Sequence, residues 1–160
     1  MVKQVVLVPS DRVGVLTAEV RDEIKKRLGV NVSTDANSVE LEGEGLELQT
    51  ATNIIKAIGR GFAPVRAFRL FEDNQMLEVI ELGGISEARA ATTRSRVIGT
   101  KGRTRERIEE ASGAAVSVYG KTISIIGAWE QIQTAKTAIE MLMGGAMHSS
   151  VEKFLLMARK

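Results

Sequence analysis

The stretch Arg96-Val97-Ile98-Gly99-Thr100-Lys101-Gly102-Arg103-Thr104-Arg105-Glu106-Arg107-Ile108 decides how the chain is read. Two glycines bracket Thr100 and Lys101, an aliphatic pair precedes them, and a charged stretch with helical character runs on to Gly113. Gly99 and Gly102 lack a Cβ, so the backbone there can turn tightly and come close to another group. A helix opening at Gly102 turns the unpaired N–H groups of its first turn, and the positive end of its dipole, towards an anion such as a phosphate. Lys101 adds a mobile cation, with Arg96 and Arg103 flanking it and Arg94 and Arg105 one step further out. Ile98, Val116 and Val118 suit the apolar floor of a shallow groove. A glycine turn between helices is also ordinary architecture, so the charge around it has to be weighed.

The net charge of the 160 residues is only +2, but its distribution is uneven. Up to Asn74 ten Lys and Arg face eleven Asp and Glu; from Gln75 onward twelve face nine. Seven of those twelve lie between Arg89 and Arg107, with Glu106 the one acid among them. Such a cluster is the footprint of a polyanionic partner, although a solvated helix face would look similar.

The same stretch belongs to a longer repeat. Sliding the chain by 84 residues aligns Arg12–Gly61 with Arg96–Gly145 without a gap, pairing Arg12 with Arg96, Arg21 with Arg105, Ile24 with Ile108, Gly29 with Gly113, Gly43 with Gly127 and Ile55 with Ile139. A unit of that length indicates two similar domains rather than a solenoid. Each copy reads as a strand (Lys3–Val8; Met76–Leu82) and a short helix. A second helix stopped by glycine follows (Glu19–Leu28; Arg103–Ser112), then two alternating strands (Val30–Thr34 and Ser38–Glu42; Ala114–Val118 and Thr122–Ile126). A closing helix ends the unit (Leu48–Ile58; Glu130–Met143). The predicted class is α+β in the order β-α-α-β-β-α, three antiparallel strands backed by three helices, twice over. The expected divisions are 1–61, a helical linker 62–74, 75–145, and a C-terminal helix 146–160. Pro64 suits a first helical position, with Val65, Phe68 and Phe71 on one side packing between domains. Ser149 and Glu152 have capping-box spacing.

The setting of the glycine loop resembles the KH domain family, on Val97-Ile98-Gly99-Thr100-Lys101-Gly102, Ile108, Gly113 and Val116-Ser117-Val118. The resemblance implies two tandem type I KH domains. It also implies a loop that clamps the backbone of about four nucleotides of single-stranded RNA, with backbone groups of the Val116 strand reading base edges. The RNA-binding set expected is Arg94, Arg96, Ile98, Gly99, Thr100, Lys101, Gly102, Arg103, Arg105, Val116 and Val118. The family usually has an aliphatic residue where Arg105 stands, which leaves the groove floor and base preference open. In the first copy Val15 and Ala18 replace the glycines and Thr17 replaces Lys101, so that copy reads as a scaffold.

Gly61-Phe62-Ala63-Pro64 running into Ala67-Phe68-Arg69-Leu70, the closing Ile139-Glu140-Met141-Leu142, and Met147-His148-Ser149-Ser150-Val151 look like one subfamily. It is the compact archaeal form of the small-subunit ribosome assembly factor that partners the Nob endonuclease. That likeness implies binding to the 3′ region of small-subunit rRNA during pre-rRNA maturation, with contact to that endonuclease and other assembly factors. Members commonly carry a glycine loop in both copies, and the Leu16–Glu19 region departs from that.

Other classes are weaker. With no Cys, one His and no metal-spaced carboxylate–His cluster, no cofactor, metal site or enzymatic activity is expected. The absence of Cys fits a reducing cytosol, and no apolar run reaches bilayer length, so a cytoplasmic location is expected. An adaptor that has lost RNA binding, or a KH protein of RNA decay or translation control, are the alternatives.

Overall fold

The computed structural model describes residues 1–158, which divide into two compact units, Met1–Asp73 and a second that begins at Asn74. The first runs β1 (Val2–Leu7), α1 (Ser10–Val13), α2 (Ala18–Leu28), β2 (Asn31–Thr34), β3 (Ser38–Gly43), α3 (Gly45–Gly59) and α4 (Pro64–Ala67), then a 3₁₀ turn, Phe68–Phe71. The second runs β4 (Met76–Glu81), α5 (Glu87–Ile98), a 3₁₀ turn at Thr100–Gly102, α6 (Arg103–Ser112), β5 (Ala115–Tyr119), β6 (Thr122–Gly127), α7 (Trp129–Met143) and α8 (His148–Ala158). Both units follow the expected β-α-α-β-β-α order, with boundaries within three residues of the sequence reading.

Each unit holds a three-stranded antiparallel sheet, ordered β1-β3-β2 and β4-β6-β5. The last strand in sequence sits in the middle, and the repeat is kept in the register: Val6 pairs with Val39, Ile80 with Ile123. Both strands β2 and β5 lie at a sheet edge. Every residue of the central β6 is buried. Against that sheet α7 lays Ile132, Ala135, Ile139 and Leu142, spaced as one face of a helix requires. Ile108 of α6 and Val97 of α5 belong to the same core. The first unit is built alike from Ile24, Val39, Leu41, Ala51, Ile55 and Ile58.

The expected glycine stops are present. Gly29 and Gly113 take φ of 69° and 80°, and their N–H groups donate to Lys25 and Glu109 carbonyls at 2.9 and 2.8 Å. The left-handed conformation closes the helix and is open to glycine without a Cβ clash. Gly43 and Gly127 repeat for another reason: a Cβ on Gly43 would meet Val30 Cγ2 at 2.8 Å, and one on Gly127 would meet Ala114 Cβ at 3.2 Å.

Four expectations need correction. The helix before the glycine loop is not short: α5 has twelve residues, whereas its counterpart α1 has four, because Ala90, Thr93 and Val97 give α5 a buried face. The Phe62–Phe71 segment falls within the first unit, and α4 and its 3₁₀ turn pack on α3. Pro64 does open α4, but Val65 is exposed; Phe62, Ala67 and Leu70 are the buried residues. Phe68 and Phe71 meet at 5.1 Å between centroids, and the Arg27 guanidinium lies 4.0 Å from the Phe71 ring centre. Finally, Glu152 does not close a cap with Ser149; its carboxylate accepts from Arg107 on α6.

Ile125 is fully buried in the central strand of the second sheet. Its truncation to Ala should remove about 2–5 kcal/mol of stability, read as a lower midpoint in urea with an unchanged slope.

Candidate nucleic-acid interface

The geometry of the glycine loop follows from one close approach. A Cβ on Gly99 would lie 2.1 Å from Thr104 Oγ1 and 2.8 Å from the Thr104 nitrogen, so the chain between α5 and α6 doubles back at a distance that no side chain fits. Gly99 has φ 73° and ψ 177°, Lys101 φ 57° and Gly102 φ 76°. Among the described residues Lys101 is the one non-glycine position with positive φ. Such a conformation costs an L-residue roughly 1–2 kcal/mol, and here it places an exposed ammonium at the crest of the turn.

Gly102 is the N-cap of α6 and offers no side chain to the first-turn N–H groups. The Arg103 N–H donates to the Thr100 carbonyl, and the N–H groups that follow it have no side-chain cap, with exposed Thr100, Lys101 and Arg103 around them. The first unit differs at every corresponding point. Thr17 caps α2 itself, its Oγ accepting from the Val20 N–H, Leu16 is buried, and Arg21 donates to the Leu16 carbonyl at 2.7 Å. The helix end there is closed from within.

The basic cluster separates into two groups. Lys101, Arg103 and Arg89 are exposed. Arg94 instead donates to the Gly120 carbonyl at 3.2 Å and pairs with Glu87 at 3.3 Å. Arg96 donates to the Ala146 carbonyl, and the repeat explains why: Arg12 donates to the Phe62 carbonyl at 2.9 Å, in the same register of the first unit. These two arginines reach the turns that follow α3 and α7, so Arg96 lines the hollow beside the loop with its guanidinium anchored. Arg107 holds α8 through Glu152, Nε to Oε2 at 3.2 Å. The Arg107 hydrogen bond holds the Glu152 carboxyl below the usual carboxylate range.

On one side of the loop is an open hollow of about 620 Å³, bordered by Ser95, Arg96, Thr100, Arg103, Thr104 and His148. The His148 Nε2 lies 3.3 Å from the Arg96 carbonyl oxygen. Ile98, 37 % exposed, ends α5 just before the loop, and β5 is an edge strand of its sheet. Val116 was expected to floor the groove, but its side chain is buried in the core, so only its backbone can be offered. Val118 packs partly against that core. The backbone N–H of Val116 donates to Glu109 Oε2 at 2.8 Å, and Glu109 Oε1 accepts from Arg105 at 2.9 Å. Glu109 and Thr104 escaped the sequence reading. The Arg105–Glu109 spacing of four marked one of these contacts; the Val116 contact depends on the strand's placement. Among the described residues no group of three or more His, Asp or Glu is placed to hold a metal ion.

A β-α-α-β-β-α unit with a glycine-bracketed turn before its second helix defines a KH-type domain, and comparison with known proteins agrees. Residues 76–160 match the family model for the second KH domain of PNO1, described as a eukaryotic-type KH-domain (KH-domain type I). The chain is 40 % identical over 163 aligned residues to KH domain-containing protein MJ0443 of Methanocaldococcus jannaschii, covering 95 % of this chain and 72 % of that one. It is 30 % identical to RNA-binding protein pno-1 of Caenorhabditis elegans, spanning 85 % of this chain and about half (49 %) of that longer protein. Among solved structures it is similar to Dim2p from Pyrococcus horikoshii (44 % identity, TM-score 0.88, 98 % of this chain and 99 % of that one). It also matches a chain of the a/eIF2alpha–aDim2p–rRNA complex from the same organism (42 % identity, TM-score 0.91, 99 % and 94 %). The chain belongs to the PNO1/Dim2 family of KH-domain RNA-binding proteins.

Two outcomes follow from the site's construction. Gly99→Ala should lose about 2–4 kcal/mol through overpacking and left-handed strain. Gly102→Ala, with nothing within 4 Å of its new Cβ, should lose only about 1–2 kcal/mol. Thermal melts of the two variants rank them. Glu152 has a lowered carboxyl pKa in the fold, so its contribution to holding α8 is present above the unfolded carboxylate range and is lost as pH falls through the folded value. The protection of the Val151 and Leu155 amides, taken relative to their intrinsic exchange rates at each pH, should therefore fall as the pH is lowered from neutral through the carboxylate range, and Glu152→Gln should remove that dependence.

Proposed function

We propose that the chain binds single-stranded RNA through the Gly99–Gly102 loop and the groove beside it, in the 3′ region of small-subunit rRNA during ribosome assembly. The observation that carries this reading is the uncapped first turn of α6 behind exposed Thr100, Lys101 and Arg103, in a chain whose Pyrococcus relative forms a complex with rRNA. The phosphate path runs over the loop, where the glycines let the RNA backbone approach the uncapped N-terminal turn of α6. Unstacked bases lie against Ile98 and the outer edge of β5. The first unit is read as a second KH-like domain that has lost its clamp and serves as scaffold, because Leu16 and Thr17 close the corresponding helix end. The chain does no chemistry of its own in this reading. Its protein partners are a Nob-type endonuclease and other small-subunit assembly factors, and it works in the cytoplasm.

Changing Thr100 and Lys101 both to Asp should weaken binding to single-stranded RNA at least about tenfold, because phosphate contacts dominate affinity. The far-ultraviolet spectrum should stay unchanged, since both side chains are exposed. Each lost phosphate contact should also flatten the plot of log affinity against log salt by roughly 0.7. Lys25→Ala with Lys26→Ala, exposed on α2, should leave that slope as it is. Unchanged affinity in the folded Asp variant, or tighter binding to duplex than to the matched single strand, would overturn the reading.

A further inference from the structure

The outer edge of β5 is where a base in the groove would be read, and in this chain a side chain occupies one of the hydrogen-bonding groups of that edge. Residues of a strand alternate, so Val116 and Val118 direct both N–H and C=O away from β6. An open edge of this kind offers a donor to the centre of a base's Watson–Crick edge. Here the Val116 N–H is already taken by Glu109 Oε2 at 2.8 Å, and the carboxylate is held from its other oxygen by Arg105 at 2.9 Å. Glu109 is not a loose surface acid, since its side chain is 17 % exposed and that of Arg105 29 %. Where a strand donor would stand, the groove presents a carboxylate, flanked by strand carbonyls and by a guanidinium with further N–H groups.

We propose that Glu109, oriented by Arg105, is a base-selecting residue that makes this groove prefer guanine. The inference rests on the RNA reading above and names what that site selects. The centre of the Watson–Crick edge is an N–H donor in guanine and uracil, and a lone pair in adenine and cytosine. A carboxylate attracts the first pair and repels the second. Guanine has the adjacent N1–H and N2–H₂ donors to set against it, and its O6 then faces the Arg105 guanidinium. Uracil offers a single N–H between two carbonyl groups that the carboxylate repels. A bidentate charged contact of this kind discriminates by about tenfold or more.

The test uses the full chain and single-stranded RNA decamers that differ at one position, walked along the strand with each of the four bases, read by fluorescence anisotropy at one salt concentration. At one position the wild-type chain should bind guanine at least about tenfold more tightly than adenine or cytosine. Glu109→Ala frees the Val116 N–H, so the preference there should collapse or turn to adenine or cytosine, with the salt slope unchanged. Glu109→Gln keeps the length of the side chain and an acceptor for Val116, and replaces one oxygen by a donor. It should lower the guanine advantage without loss of fold, which guards against Ala simply loosening β5. Tight wild-type binding with no guanine-selective position overturns the inference alone, as does a guanine preference that survives in both folded variants. Absence of any wild-type RNA binding overturns the RNA reading itself, and this inference with it.

Discussion

The contact of Gly99 with Thr104 is the constraint on which the site depends. Two helices that each bury a core side chain, Val97 on α5 and Ile108 on α6, must be joined by a turn in which no Cβ fits at Gly99. The turn then runs through two successive left-handed residues, Lys101 and Gly102, before α6 begins. Everything the loop offers an anion follows: first-turn N–H groups with no side-chain cap, and an ammonium raised clear of the surface. The first unit shows what happens without that constraint. With Val15 and Ala18 in place of the glycines, the chain buries Leu16 and lets Thr17 cap α2. The same repeat thus yields one open helix end and one closed.

Charge around the loop is more structural than its density suggests. Arg94, Arg96, Arg105 and Arg107 are each held by a carbonyl or a carboxylate, and three of those ties cross between elements: α5 to the β5–β6 turn, α5 to the turn before α8, and α6 to α8. They are bonds to ionised groups, individually worth more than neutral hydrogen bonds when partly buried. They fix the helices that flank the loop. The cations that remain exposed beside it are Lys101 and Arg103, with Arg89 further back on α5.

Much of this was legible in the sequence. The repeat gave the order of elements in both units because strands, glycine stops and helical spacing recur at one offset, and the glycine loop stood out because only the second copy has it. The repeat also held a signal that was passed over. Arg12 is identical to Arg96 in a copy that lacks the loop, which points to architecture, and the two arginines do bind the corresponding turns after α3 and α7. The burial of Val116 was hidden, since an alternating strand does not say which face meets the core. The length of α5 was misjudged because Ala90 and Thr93 are a weak apolar signal, although both are buried. The grip of Glu109 on the Val116 N–H joins α6 to a strand edge and has no pattern in one dimension.

The central claim is that the loop before α6, and not its counterpart before α2, meets the RNA backbone. Titration of the isotope-labelled chain with a single-stranded RNA, followed through its amide resonances, tests this most directly. The account predicts the largest shifts at Gly99–Thr104, with smaller ones along β5 and little change at Val15–Ala18. Shifts concentrated at Val15–Ala18, or an unmoved Gly99–Thr104 loop under saturating RNA, would contradict it.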